Sequence, residues 1–366
     1  MPLWLSGHSG IFQFVTRSSN NPWLHRFAVC TAVATLLLIG IGGLVTSHGA
    51  GMAVPDWPTT YGYNMFLFPP SYWIGGIFYE HSHRLFASFV GLLTTILAIW
   101  LWVKDTRSWL RWLGVAAFFA VVLQGILGGL RVTLYKDEIG IVHAALAQSF
   151  LVLVSLIALF TSSWWRKAGE SIRPPLSRAT VHTVLIATLL IFGQLVLGAT
   201  MRHQHAGLAV PDFPLAYGQW WPPLDAASIE SFNRQRTDFR EFNPITAFQI
   251  VLHMAHRMVA AFILVGVCVS VWKVNRSFAK KNGFTRAANL WLGLIVAQAG
   301  LGIATILSAK AADVATLHVV GGAASLVLGA LLAVCLLRVS VPASVPVGAN
   351  PITTGEVSSS RGFAAA

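Results

Sequence analysis

The sequence predicts an all-α polytopic membrane protein in which eight transmembrane helices form two tandem four-helix bundles. Three observations lead to this prediction. The chain of 366 residues is 55% hydrophobic and only 10% charged, whereas soluble domains average roughly 25% charged residues. It contains eight apolar stretches, each close to the roughly 20 residues needed to cross a bilayer. A motif of thirteen residues occurs twice, once in each half of the chain.

The eight apolar stretches define the predicted transmembrane helices. They cover residues 28–48, 83–103, 110–131, 140–162, 179–201, 254–272, 287–308 and 315–337. Basic residues collect between spans two and three, four and five, and six and seven, and also before span one and after span eight. The positive-inside rule therefore predicts that these segments and both termini are cytoplasmic. This asymmetry accounts for the formal net charge of +12, so the charge does not indicate a nucleic-acid-binding surface.

The thirteen-residue motif predicts an internal repeat. Residues 50–62 align without a gap with residues 206–218, in the predicted outer loop of each half. Each half has four spans, and an even number preserves orientation, so we expect a parallel repeat with a pseudo-twofold axis along the membrane normal. The second outer loop has an extra polar segment, interpreted as a solvated cap. The chain divides into a cytoplasmic lead (1–27), a first half (28–165), a cytoplasmic linker (166–178), a second half (179–338, with the insertion 219–252) and a cytoplasmic tail (339–366).

A five-residue cluster opens the second span and returns in altered form at the sixth. The two copies read Glu80-His81-Ser82-His83-Arg84 and His253-Met254-Ala255-His256-Arg257. The repeat pairs His83 with His256. Continuing the alignment through spans four and eight pairs His143 with His318. Ionisable residues at the mouth of a membrane helix cost free energy, so they usually mark a functional site.

These four histidines are predicted to lie at one depth in the membrane. Each stands at the outer end of an even-numbered span, about 17 to 23 residues from the next inner basic residue. At roughly 1.5 Å per residue, this separation is one bilayer thickness. Two histidines from neighbouring helices at matched depth are the usual arrangement for axial ligation of haem iron. The spacing therefore predicts bis-histidine haem sites.

Other roles for the histidines are less consistent with the pattern. Zinc takes three or four ligands close together, and each half supplies only two of the duplicated histidines. Structural histidines or a proton relay remain alternatives. A relay needs acidic partners inside the membrane, and the nearby carboxylates stay at its outer edge: Glu80, Glu138 and Asp313.

Four arginines occur at the outer ends of spans, where the positive-inside rule expects few basic residues. They are Arg84, Arg131, Arg202 and Arg257. Arginine pairs bidentately with carboxylates, and haem carries two propionates, so propionates that point outward would explain all four. Anchoring to lipid headgroups explains Arg131 and Arg202 nearly as well.

Glu80 is the main difference between the two halves. It stands three residues before His83, whereas His253 occupies the equivalent position in the second half. A carboxylate in a low-dielectric setting is costly unless it is used. Glu80 is therefore predicted to stabilise positive charge that develops on the porphyrin periphery, or to transfer a proton. The first half is interpreted as a reactive site and the second as an electron-transfer site.

With these residues, the chain closely resembles the haem A synthase family over roughly residues 28–338. The resemblance rests on the cluster at 80–84, the two Val-Pro-Asp-Trp/Phe-Pro loops, His143, His256 and His318. It implies an oxidoreductase that converts the C8 methyl group of haem O to a formyl group by two successive oxygenations, which gives haem A. It also implies that His83 and His143 bind the substrate haem, with Glu80 as the key carboxylate, and that His256 and His318 bind haem b. Residues 49–80 contain no cysteine, so the chain resembles the cysteine-free branch of the family.

The resemblance also implies partners and a location. The expected partners are haem O, delivered by haem O synthase, an electron donor or acceptor, and assembly factors of terminal oxidases. The expected location is the bacterial inner membrane, with the haem sites toward the periplasm. Two axial histidines leave the substrate iron no open position, so either one dissociates or the oxidation occurs at the periphery.

Two other functions fit parts of the sequence. A two-haem b-type cytochrome that transfers electrons from quinol would have functionally equivalent halves and no need for Glu80. A transporter would fit the parallel repeat, but no span shows paired interruptions at mid-membrane depth. Haem analysis of the purified protein distinguishes the three, because each predicts a different haem content.

Overall fold

A computed structural model describes residues 21–168, 176–236, 243–280 and 282–340. Within these ranges the regular structure is helical, apart from isolated bridges in the two outer loops. Eight of the described helices are long and apolar enough to cross a membrane. They are Pro22–Ser47 (α1), Gly75–Lys104 (α2), Ser108–Thr133 (α3), Asp137–Thr161 (α4), Arg178–His203 (α6), Ala247–Ser277 (α8), Gly283–Leu307 (α9) and Ala312–Ser340 (α10). Ser163–Ala168 (α5) and Ala226–Gln235 (α7) are short. The predicted all-α membrane fold with eight spans is therefore confirmed.

Helices α2 and α8 begin earlier than the apolar stretches predict, at residues 75 and 247 instead of 83 and 254. Helix α8 starts with a capping box, in which the Thr246 side chain accepts from the Gln249 amide and the Gln249 side chain accepts from the Thr246 amide. Such caps set a helix start independently of hydropathy. The polar residues before His83 and His256 are therefore helical, and both histidines lie more than two turns inside their helices.

The helix contacts are compatible with two four-helix halves. In the first half, α1 contacts α2, α2 contacts α3, α3 contacts α4, and α4 returns to α1. In the second half, α6, α8, α9 and α10 contact one another in the same cyclic order. Between the halves, α1 contacts α10, α4 contacts α6, and α4 contacts α10. A pseudo-twofold axis that exchanges the halves would produce this set of contacts.

The repeated motif in each outer loop folds around an aspartate. The Asp56 carboxylate accepts the backbone N–H groups of Tyr61 at 2.7 Å and Gly62 at 2.9 Å. Asp212 makes the two equivalent bonds at 2.8 and 2.9 Å. The chain turns there through left-handed backbone at φ 48° and 76° in the first loop, a conformation that glycine adopts without strain. The repeated aspartates therefore shape these two turns.

The insertion in the second loop is a cap that is solvated on one side and packed on the other. Its helix α7 exposes the ion pair of Glu230 and Arg234. The Phe232 ring on the opposite side stacks on Tyr217 with ring centroids 3.6 Å apart. Asn233 exchanges two hydrogen bonds with the backbone of Ile245, at 2.9 and 2.6 Å. Three further charged residues of this insertion, Asp238, Arg240 and Glu241, lie outside the described residues.

Candidate functional site

Each of the four repeated histidines faces a glycine on a neighbouring helix. A Cβ atom placed on these glycines would meet the imidazole Cε1 at 3.1 to 3.4 Å. The pairs are Gly42 with His83, Gly128 with His143, Gly198 with His256, and Gly302 with His318. Any larger side chain would press on the ring, so these glycines make room for the imidazoles.

The four imidazole rings share the burial of one nitrogen, Nδ1. Nδ1 of each is buried without a hydrogen-bond partner: His83, His143, His256 and His318. The Cε1 edge of each ring lies against the glycine helix, so Nε2 is the nitrogen available to a ligand. Neutral imidazole can bind a metal through this nitrogen.

The structure brings the histidines together in pairs within each half. His83 of α2 and His143 of α4 belong to the first half, and His256 of α8 and His318 of α10 belong to the second. Helices α2 and α4 each contact both α1 and α3, which places them on opposite sides of the first bundle. The two histidines of a pair therefore come from helices on opposite sides of their bundle.

Glutamine side chains hold three of the four histidine helices. The Nε2 groups of Gln124, Gln194 and Gln298 donate to the backbone carbonyls of His143, His256 and His318 at 3.0, 2.9 and 2.8 Å, respectively. Each glutamine precedes the glycine of its own helix by four residues, which is one turn. In α1 the equivalent residue before Gly42 is Leu38. The sequence already shows the repeated Gln-x-x-x-Gly spacing, but it does not show where the amides point.

Glu80 is almost completely buried, with 4% of its surface exposed. Its Oε1 accepts from Arg84 at 2.8 Å, and its Oε2 accepts from the Val54 amide at 2.8 Å. Arg84 also donates to the carbonyls of Val54 at 2.7 Å, Asp56 at 2.6 Å and Thr59 at 3.1 Å. Glu80 and Arg84 thus fasten the histidine turn of α2 to the first outer loop.

The second half fastens its loop without a carboxylate. Arg257 donates to three loop carbonyls, those of Val210 at 3.2 Å, Asp212 at 2.6 Å and Leu215 at 2.9 Å. His253, which stands in the position of Glu80, is 2% exposed and hydrogen-bonds the backbone of Ala206. An arginine alone is therefore sufficient to hold this loop. The terminal nitrogens of Arg84 and Arg257 contact loop carbonyls, a role that sequence reasoning missed because the partners are 25 or more residues away.

The other two arginines lie where the halves meet. Arg131 donates to Asp137 at 3.2 Å, and Nδ1 of His203 lies 3.7 Å from the same carboxylate. Arg202 reaches from α6 to the Gly43 carbonyl of α1 at 2.7 Å. This cluster has no counterpart in the repeat, and its members come from both halves.

His81 differs from its neighbour His83. It is fully buried, and its Nδ1 lies 3.2 Å from the Thr60 hydroxyl. Its ring packs against Phe68 and Trp73 of the first outer loop, with centroids 5.1 and 4.7 Å away. His81 therefore contributes to the packing of that loop.

Among the described residues, no group of three or more histidine, cysteine, aspartate or glutamate side chains is arranged to hold a metal ion. The arrangement present is instead two histidine pairs, one in each four-helix half.

The fold and the site define a class: a polytopic membrane protein with two histidine pairs in duplicated four-helix halves. Residues 75–332 match the family described as "Cytochrome oxidase assembly protein", COX15-CtaA, and the chain belongs to this family. It is 29% identical to "Heme A synthase" of Shouchella clausii over 79% of this chain and 88% of that protein. It is 27% identical to "Heme A synthase" of Shewanella oneidensis, over 84% of this chain and 93% of that protein.

Proposed function

We propose that this protein is a haem A synthase, which oxidises haem O to haem A. The observation that carries the proposal is the combination of two equivalent histidine pairs with a buried carboxylate in only one half. The family match and the names of the relatives agree with it. The protein is accordingly an enzyme of haem A biosynthesis in a membrane.

The residues present fit a haem in each half. Each pair offers two imidazoles whose Nδ1 atoms are buried in the protein, whereas their Nε2 atoms are not among the buried atoms without a partner and would be the ones to bind iron. His83 and His143 hold the substrate haem O, and His256 and His318 hold a resident haem b. The iron centres supply the electron-transfer and oxidation chemistry. The protein supplies the positions of the ligands and the electrostatics around them.

Glu80 is the proposed catalytic carboxylate. Its negative charge stabilises positive charge that develops on the substrate, or its oxygen accepts a proton from it. The second half supports this role, because Arg257 holds the equivalent loop with no carboxylate present. Burying Glu80 costs free energy, and the loop does not require that cost.

The arginines have donors left for haem propionates. The Nε groups of Arg131 and Arg257 are buried and have no hydrogen-bond partner. The terminal nitrogens of Arg84 are used by the loop and by Glu80, but Nε is not among those bonds. We propose that Arg84 and Arg257 bind propionates through Nε while their terminal nitrogens hold the loops.

The proposal includes an orientation and a division of labour. Both termini face the cytoplasm of a bacterium, and both haems lie toward the periplasmic side of the inner membrane. Residues 28–165 form the substrate half and residues 179–338 the haem b half. Haem O synthase supplies the substrate, a separate protein or quinol exchanges electrons with haem b, and assembly factors of the terminal oxidase receive the product.

The direct test is haem analysis of the purified protein, produced in a host that makes haem O. Pyridine haemochrome spectra should show haem O or haem A alongside haem b. Haem b alone would favour the second candidate, a two-haem electron-transfer cytochrome, which the near-equal geometry of the two histidine pairs also fits. Absence of any haem would exclude both.

A further inference from the structure

Three of the four histidine-bearing turns are tied to a neighbouring helix, and the fourth is not. The ties are the hydrogen bonds from Gln124, Gln194 and Gln298 to the histidine carbonyls. Each such bond fixes the backbone at the residue from which the imidazole projects. Because the carbonyl already accepts the helical bond, the glutamine uses its second lone pair.

Leu38 takes the place of the glutamine beside His83. It precedes Gly42 by four residues, as each glutamine precedes its own glycine. Leucine has no hydrogen-bond donor, and no side chain among the described residues donates to the His83 carbonyl. Leu38 instead packs against the apolar cluster of the first half. The backbone that carries His83 is thus held to α1 by packing alone.

The rest of the His83 environment matches its counterpart in the second half. The glycine contact is 3.1 Å for His83 and 3.3 Å for His256, and an arginine follows both histidines. The two turns therefore differ in the missing tie to the neighbouring helix and in Glu80, which adds a hydrogen bond on the loop side.

We propose that His83 is the exchangeable axial ligand of the substrate haem and that His143 is the fixed one. This assignment rests on the proposed function, and it makes Leu38 a residue that positions His83 indirectly. His83 leaves the iron through cleavage of the Nε2–iron bond, with both electrons of that bond remaining on the neutral imidazole. Arg84 and Glu80 hold this turn to the outer loop. No side-chain bond holds the His83 carbonyl to α1, which lowers the resistance to this movement, whereas Gln124 holds His143 in place.

Substitution of Leu38 by glutamine would install the missing tie. The two side chains are similar in length, and the near-equal glycine distances give a glutamine at position 38 the reach of Gln194. The measurement is the rate at which carbon monoxide binds the reduced substrate haem in stopped flow, since binding requires an axial ligand to leave. Leu38→Gln should slow this rate about three- to tenfold, the effect of one added buried hydrogen bond.

Two matched variants complete the test. Gln124→Leu removes the tie of His143 and should change the rate of carbon monoxide binding at the same haem by no more than about twofold, because exchange already proceeds through His83. Gln298→Leu removes the tie of His318 and should leave the substrate haem unchanged while making haem b more accessible to carbon monoxide. Haem content of each variant, measured by pyridine haemochrome, verifies that both sites are loaded.

A rate for Leu38→Gln within about twofold of the wild-type rate, with both haems present, would overturn the proposal, because His143 would then be the ligand that leaves. If Leu38→Gln does not accumulate, Gln124→Leu decides the question: an acceleration well beyond about twofold would identify His143 as the ligand that leaves and would overturn the proposal. The rates are independent of turnover. A protein that binds haem but makes no haem A would refute the proposed function and still report which histidine exchanges.

Discussion

Replacing Glu80 by histidine would give the first half the residue that the second half carries at the same position. In the wild-type protein Arg84 has four acceptors, namely three loop carbonyls and Glu80. Without Glu80 it keeps three, the number that holds Arg257 in the second half. The loop should therefore stay in place, and both histidine pairs should still bind haem.

The structural cost of this substitution can be bounded. The Val54 amide loses its partner, and Val54 is fully buried, so the penalty is about 1–3 kcal/mol. Loss of the catalytic carboxylate should lower haem A formation by about 10² or more, which corresponds to about 2.7 kcal/mol or more in activation free energy. These magnitudes overlap, so stability and catalysis must be measured separately.

The assay is the ratio of haem A to haem O extracted from the purified protein, together with its total haem content and melting temperature. Glu80→Gln retains one oxygen that can accept from the Val54 amide, so it tests charge with less disturbance of the loop. Asp313→Asn, which neutralises an exposed carboxylate of α10, is the matched control and should behave as wild type. A wild-type product ratio in both Glu80 variants, with normal haem content, would refute a catalytic role for this residue.

Three further outcomes are expected. His256→Ala and His318→Ala should each remove the haem b spectrum while the protein remains folded, and haem b at wild-type occupancy in either would contradict the ligand assignment. The first outer loop should become more sensitive to protease below about pH 4. Burial raises the pKa of Asp56, but the hydrogen bonds from Gly62, Thr59 and Tyr61 outweigh it and hold the pKa below its ordinary value. The unfolded loop therefore binds more protons than the folded loop in this pH range. The contribution of the Asp56 carboxylate to loop stability is present above the ordinary pKa of aspartate, about 4, and is lost as the pH falls through the lowered pKa. Asp56→Asn should abolish this pH dependence of protease sensitivity. In spheroplasts of a cysteine-free background, an impermeant thiol reagent should label a cysteine at the exposed position Asn64 and spare one at Ser277; the opposite pattern would invert the proposed topology.

The number of spans and the equivalence of histidines between the two halves were predictable because both depend on local or repeated features. An apolar stretch of about 20 residues has few alternatives to a transmembrane helix. The repeat then supplied long-range information, since aligned residues occupy equivalent places. His143 and His318 could be paired in this way although their surroundings are ordinary apolar sequence.

The helix starts and the contacts of the arginines were not predictable from hydropathy. Polar residues such as Glu80 and His253 interrupt the apolar pattern, yet both are buried and helical. Glu80 is satisfied by a loop group distant in sequence, the Val54 amide. From the sequence, haem propionates and lipid headgroups were the expected partners of these arginines. The loop carbonyls that Arg84 and Arg257 contact are a third kind of partner, which only the tertiary structure reveals.

The differences between the halves are concentrated on one helix pair. The pair α3 and α4 matches α9 and α10 in glutamine, glycine and histidine, with the tie at 3.0 Å in one and 2.8 Å in the other. At the positions that hold the histidine, its glycine, the glutamine and the buried carboxylate, the pair α1 and α2 differs from α6 and α8 at Leu38 and Glu80. Since a site that only carries electrons needs neither change, the chemistry of the first half is best placed at the His83 edge, where a carboxylate and a less restrained ligand occur together.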